Sequence, residues 1–201
     1  MRYTITMEER DEVSRRPGGR SARIRTAVLT AALDLLETGV TQSSLPELAA
    51  HAGVAPSSVY RRWGTWENVI ADALLASSQD AIPVPDTGTL RQDLIEFATS
   101  LAKYLESPRG YALTRAASSV GADSPDIAAA RTRFWTERFQ VAKTIITRGI
   151  DRNEVPATTD AALVIETIIA PLHFRRLVTH QNVTQGLAAR IDLVLKGTQT
   201  T

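Results

Sequence analysis

The sequence predicts an all-α protein of about nine helices, a short N-terminal unit of three helices joined through a fourth to a helical bundle. Two observations predict this. Beyond residue 19 nearly every segment repeats its apolar residues at helical spacing, and alanine is abundant while aromatics make up only 5% of the 201 residues. Helix punctuation adds a third: Ser or Thr before each run, Gly or Pro after it. A hydrophobic content of 43% is enough for an ordinary core.

Residues 1–19 mix acids and arginines, end in Pro17-Gly18-Gly19 and carry no apolar period, so a mobile arm is expected. Helix α1, about 20–38, follows, with Ile24, Val28, Ala31, Ala32 and Leu35 on one face and Gly39 as its stop. Ser44 with Glu47 is a capping-box signature opening α2, about 45–51. Gly53 supplies the positive φ of a tight turn, and Pro56 opens α3, about 56–62, where a missing N–H costs nothing.

Thr65 can cap α4, about 66–78, and residues 83–88, PVPDTG, interrupt the periodicity. Thr89 with Gln92 reads as a second capping box, at the start of α5, whose stripe is Leu90, Leu94, Phe97, Leu101 and Leu105. Helix α6 follows Ser107-Pro108, and Ser124-Pro125 opens a long α7 to about 152. Helix α8, about 159–179, is apolar around most of its circumference and must be covered on both sides. Helix α9, about 183–196, is amphipathic.

Several classes close. Without cysteine there is no disulfide, thiolate metal site or thiol nucleophile. No apolar run approaches the roughly 18–20 residues that span a bilayer, and the N-terminus lacks an apolar signal core, so a cytoplasmic protein with no membrane partner is expected. No phosphate-cradling glycine loop, G-x-S-x-G or HExxH is present, which argues against an enzyme and against any cofactor. His173 and His180 lie seven apart with no carboxylate to complete a ligand set, so no metal is expected.

A net charge of +1 does not announce nucleic-acid binding, so any basic patch must be local. Residues 45–62 supply one. Two short helices joined by a glycine turn form a helix-turn-helix, whose second helix enters the major groove by its N-terminus. On α3, Ser57, Ser58, Arg61 and Arg62 project together while Val59 faces inward, which sets hydrogen-bonding residues toward base edges and cations toward phosphates. Tyr60, Thr65 and Ser44 can bond phosphate oxygens, and Arg20, Arg23 and Arg25 can reach a flanking backbone or the minor groove. Trp63 is expected to pack the head's core rather than stack on a base.

Residues 20–70 resemble the N-terminal domain of the tetracycline-repressor (TetR) family of bacterial transcriptional regulators. The resemblance rests on ALDLLETGVT at 32–41, L-x-x-L-A-x-x-A-G-V at 45–54 and VYRRW at 59–63. It implies a DNA-binding domain over 20–66, a ligand-binding and dimerisation domain over 67–201, and a place at the bacterial nucleoid. Phosphate contacts follow for Ser44, Tyr60 and Arg62, and base-proximal positions for Pro56, Ser57 and Ser58. The chain departs from the family where Ala55 replaces a frequent capping serine, Pro56 a frequent lysine, and Trp66 the lysine that commonly opens the next helix.

The segment 149–179 resembles one subgroup of these regulators, with Pro171 inside α8. The partners implied are an operator duplex, a second copy of the chain and a small apolar or amphipathic effector that releases a repressor. Ala161, Val164, Ile165, Ile168, Leu187, Ile191 and Val194 are the expected dimer residues. Phe97, Leu101, Tyr104, Trp135, Phe139, Leu172, His173 and Phe174 are the expected pocket. An effector-free architectural or scaffolding DNA-binding protein is the alternative, and after it an enzyme whose site the sequence does not expose.

Overall fold

The structure, a computed structural model, describes residues 19–119 and 125–199. These form α1 (Gly19–Glu37), α2 (Leu45–His51), α3 (Pro56–Trp63), α4 (Trp66–Ala81), α5 (Leu90–Glu106), α6 (Pro108–Ser119), α7 (Pro125–Asp151), α8 (Ala161–Leu177) and α9 (Leu187–Thr198). The expected arm over 1–18 and Ser124 lie outside the described residues, and Gly19 belongs to α1. One apolar core runs through the molecule, from Val28 and Leu48 near the N-terminus to Leu172 and Ile191 near the C-terminus. Helix α4 touches α1, α3, α5, α6 and α7, and with α1, which also packs directly on α6, it joins the N-terminal helices to the bundle.

Local chemistry explains the helix starts. Ser44 accepts from the Glu47 N–H at 3.3 Å while Glu47 accepts from the Ser44 N–H at 3.0 Å, a closed capping box. The second expected box is only half built. Thr89 accepts from the Gln92 N–H at 3.4 Å, but the Gln92 side chain turns to Glu96 and the Leu90 N–H donates to Glu154 at 2.7 Å instead. Helix α9 starts about four residues later than its apolar pattern suggests. The Asn182 carboxamide accepts from the Thr184 and Gln185 N–H groups, and Gly186, at φ +71°, then redirects the chain.

A charged cluster fixes the start of α5 against the end of α7. Asp93 is fully buried, and its carboxylate accepts from the Thr87 N–H and hydroxyl at 2.6 and 2.7 Å and from Arg152 at 3.2 Å. Burial pushes its carboxyl up, yet the Thr87 and Arg152 bonds outweigh that and hold it below the usual range. At the α5–α6 junction a Cβ on Gly110 would lie 1.9 Å from the Tyr104 carbonyl oxygen, so only glycine fits.

Helix α8 corrects the expected dimer face. Val164, Ile165, Ile168, Leu187 and Ile191 are buried within their own chain, whereas Ala161 and Val194 are half-buried and remain partly open to solvent. The exposed apolar residues are instead Leu163 and Phe174 on α8 and Val178 just past its end, with Leu193, 71% exposed, on α9. The physical reason is that α8 is apolar around most of its circumference, with only Glu166 and Thr167 marking the exposed side in its first half, beside Leu163.

Candidate nucleic-acid interface

Helices α2 and α3 meet through the turn at Gly53, φ +64°, where the Ala52, Gly53 and Val54 N–H groups close back on the carbonyls of α2. An L side chain adopts that φ only at a cost. Val59 and Trp63 of α3 are buried, which fixes its roll and turns Pro56, Ser57, Tyr60, Arg61 and Arg62 to solvent; Ser58 is half-buried. Ala55 provides no side-chain cap, so the N-terminal end of α3 faces outward with open backbone donors. Such an end attracts anions.

The Arg61 side chain is exposed and joins no ion pair among the described residues, whereas Arg62 donates to the Ser21 hydroxyl at 3.1 Å and lies 5.3 Å from the Trp63 ring centroid. Ser44 keeps its hydroxyl proton free to donate, since its oxygen is the acceptor in the capping box. The Glu47 carboxyl beside it is held low, chiefly by the Ser44 N–H, and puts a negative charge at the same helix start. Arg20 is exposed, Arg23 donates to the Gly19 carbonyl at 2.9 Å, and Thr65 caps α4 by accepting from Asn68.

Arg25 is not part of this outward surface. Its guanidinium grips Asp72 of α4 through two bonds of 3.1 and 2.6 Å, and the Trp63 indole N–H donates to the same carboxylate at 3.0 Å. Asp72 therefore holds α1, α3 and α4 together. Burial pushes its carboxyl up, but the Arg25 and Trp63 bonds and the charges of Arg25 and Arg62 prevail and keep it low. Trp66 is likewise a core residue, buried, with its indole N–H donating to the Thr41 carbonyl at 3.1 Å.

Below this head lies a cavity of about 270 Å³ between α4, α5, α6, α7 and α8. Phe97, Leu101, Tyr104, Trp135, Phe139 and His173 line it as expected, whereas Leu172 and Phe174 do not: Leu172 is buried in the core and Phe174 faces solvent. The reason is the rotation of α8 found above, which brings Ile165, Ile169 and His173 to the cavity. Trp135 is held by Phe134, Phe139 and His173, at ring-centroid distances of 5.1, 5.9 and 5.6 Å. Burial lowers the His173 pKa, and since the Ile169 carbonyl 3.0 Å from Nδ1 only accepts, Nδ1 carries the proton and Nε2 is an acceptor.

Sequence reasoning missed the wall contributed by α4. Glu67, Ile70, Ala71, Leu74 and Ser78 line the cavity on one face of that helix, and Asp72 leaves from the other. The spacing of residues 67, 70, 71, 74 and 78 was the available signal, a stripe longer than a three-helix head needs. Among the described residues no helix is long and apolar enough to cross a membrane, and no group of three or more His, Asp or Glu is poised for a metal.

A helix-turn-helix whose recognition helix is exposed, mounted on a helical bundle, defines a DNA-binding regulator. Comparison with known proteins gives the family. Residues 84–193 match the family model described as tetracyclin repressor-like, C-terminal domain. The chain is 40% identical over 175 residues to the HTH-type transcriptional regulator AqdR of Rhodococcus erythropolis, covering 87% of this chain and 83% of that protein. It is 33% identical over 192 residues to the uncharacterized HTH-type transcriptional regulator YdeS of Bacillus subtilis, covering 94% and 96%.

Among solved structures, a TetR family transcription regulator matches at TM-score 0.75 and 20% identity, over 87% of this chain and 98% of that one. The regulator FadR of Bacillus subtilis, solved in complex with stearoyl-CoA, matches at TM-score 0.65 and 14% identity, over 86% and 98%. The protein belongs to the TetR family of helix-turn-helix transcriptional regulators, a family of regulators rather than of enzymes.

Proposed function

We propose that this protein is a cytoplasmic, ligand-released repressor that binds a palindromic operator as a homodimer. The observation that carries the reading is the double use of α4: one face walls the cavity, and the other, through Asp72, holds α1 and α3. A molecule that fills the cavity acts on Ile70, Ala71 and Leu74, and any roll of α4 moves the recognition helix. Regulation is the difference in effector affinity between the two head positions. Repression works by occluding a promoter.

DNA contact falls to Pro56, Ser57 and Ser58 near base edges and to Ser44, Tyr60, Arg61, Arg62 and Thr65 at phosphates, with Arg20 and Arg23 on the flank. Arg25 serves the head's internal architecture instead. The exposed apolar residues Leu163, Phe174, Val178 and Leu193 support dimerisation, since an exposed apolar patch on two adjacent helices is a self-complementary surface under two-fold symmetry. The 20–66 head and the 67–201 bundle divide these tasks. Two solved fold relatives bear names that include a small molecule, FadR with stearoyl-CoA and the flavonoid-responsive regulator FrrA, which supports an apolar or amphipathic effector here.

Selection of duplexes from a random pool by the full chain tests the proposal. The expected product is a two-fold symmetric site with half-site centres about 34–36 Å apart along the duplex. Enrichment of unsymmetric sequence, or none, would overturn it.

A further inference from the structure

The cavity is not uniformly apolar. Arg138 of α7 lines it as a half-buried residue, and among the described residues its one hydrogen bond is a 3.4 Å contact from Nη2 to the Ile82 carbonyl, with no carboxylate paired to it. Buried charges are ordinarily paired. The Tyr104 hydroxyl lines the same cavity; burial pushes its pKa up, while the Ser77 side chain and then the charges of Arg138 and Arg109 pull against that. Among the described residues that buried oxygen makes no hydrogen bond of full geometry, although the Ser77 side chain lies close to it.

Tyr104 as a residue is 6% exposed and lines the cavity, so a guanidinium without a paired carboxylate and a phenol hydroxyl face a chamber lined mainly by aromatic and aliphatic side chains. The single carboxylate among the lining residues, Glu67, sits on the first turn of α4, whereas Arg138 meets the last residue before the α4–α5 loop turns away, about 20 Å along the helix. Charge and apolar surface are thereby segregated. Phe97, Leu101, Phe134, Trp135 and Phe139 supply the apolar part.

We propose that the cavity takes an amphipathic monoanion, a carboxylate on an apolar or aromatic body, with Arg138 gripping the carboxylate and the Tyr104 hydroxyl donating to it. An arginine fork matches a carboxylate's two oxygens, and the pair, once formed, neutralises the guanidinium charge and gives the Tyr104 hydroxyl an acceptor. A neutral amide offers one carbonyl acceptor and leaves the guanidinium charge uncompensated. This rests on the reading of the cavity as the effector site, and sharpens it to a chemical class.

The test is calorimetric titration of the full chain with octanoate, decanoate and 3-phenylpropionate, each against its amide, on wild type, Arg138→Met and Tyr104→Phe. At least one acid should bind wild type tenfold or more tightly than its amide, Arg138→Met should abolish that preference, and Tyr104→Phe should weaken the acid several-fold. Failure of all three acids to bind, equal binding of acid and amide to wild type, or retained preference in a folded Arg138→Met would overturn the inference. The wild-type comparison decides the matter even where a variant does not fold. A bound acid that leaves affinity for the selected duplex unchanged keeps the anion site and refutes the regulatory reading instead.

Discussion

Replacing Asp72 with alanine removes the acceptor that α1 and α3 share. The indole N–H of Trp63, a residue 6% exposed, loses its partner at 3.0 Å and is left buried and unsatisfied, a cost of about 1–3 kcal/mol. The Arg25 pair adds less. Its side chains are 35% and 18% exposed, and a partly solvated guanidinium recovers water, so the ion pair contributes about 1 kcal/mol after screening. The sum, about 2–4 kcal/mol, corresponds to a fall in melting temperature of roughly 5–15 °C for a chain of this length.

Asp72→Asn separates the two parts, because the carboxamide oxygen still accepts from Trp63 while the charge facing Arg25 is gone. Thermal unfolding followed by circular dichroism should place it between wild type and Asp72→Ala, near the wild type. An Asp72→Ala protein that melts with wild type, or an Asp72→Asn protein as unstable as the alanine variant, would refute the bonding assigned to this residue.

Further outcomes follow from the same contacts. Asp72 and Asp93 are both held below the ordinary carboxylate range, so the stability they contribute is complete above about pH 4 and lost as pH falls through their folded values; the melting temperature should be level near neutrality, drop steeply in acid, and drop less steeply in Asp72→Ala. Gly53→Ala meets nothing within 4 Å and pays only for its positive φ, about 1–2 kcal/mol by urea denaturation, whereas Gly110→Ala collides with the Tyr104 carbonyl and should lose far more. Equal losses at the two glycines would contradict the packing. Phe174→Glu and Leu193→Glu should give folded monomers by light scattering, while Ile168→Glu, buried in its own chain, should unfold. A folded monomeric Ile168→Glu would restore the inner face as the dimer surface.

Much of the fold was legible because helix ends carry their own chemistry. Ser44-Glu47, Gly53, Thr65 and the Ser-Pro pairs announce boundaries in residues a few positions apart, and the structure places α1 to α7 close to those signals. What the sequence hid is contact at a distance. Glu154 caps α5 from 64 residues away, and so Gln92, which looks like the natural partner of Thr89, is free to turn to Glu96. Arg25 looked like the arginines around it until Asp72, 47 residues on, was seen to hold it.

The same holds for the cavity. Six of the aromatic and aliphatic lining residues stood out by type, but Arg138 reads on α7 as one more surface cation, and only its burial reveals it. For α8 the local signal was slight, only Glu166 and Thr167 beside Leu163, and the packing of α9 and α5 decides that Ile168 turns inward.

The most direct measurement of the central claim is the salt dependence of binding to the selected duplex by wild type and Arg62→Ala. Each phosphate contact contributes about 0.9 to the slope of log K against log salt, and a dimer carries the change twice. The prediction is weaker binding with a slope lower by roughly 2, on a protein whose melting temperature is little changed. Unchanged affinity and unchanged slope would contradict the placement of α3 on DNA.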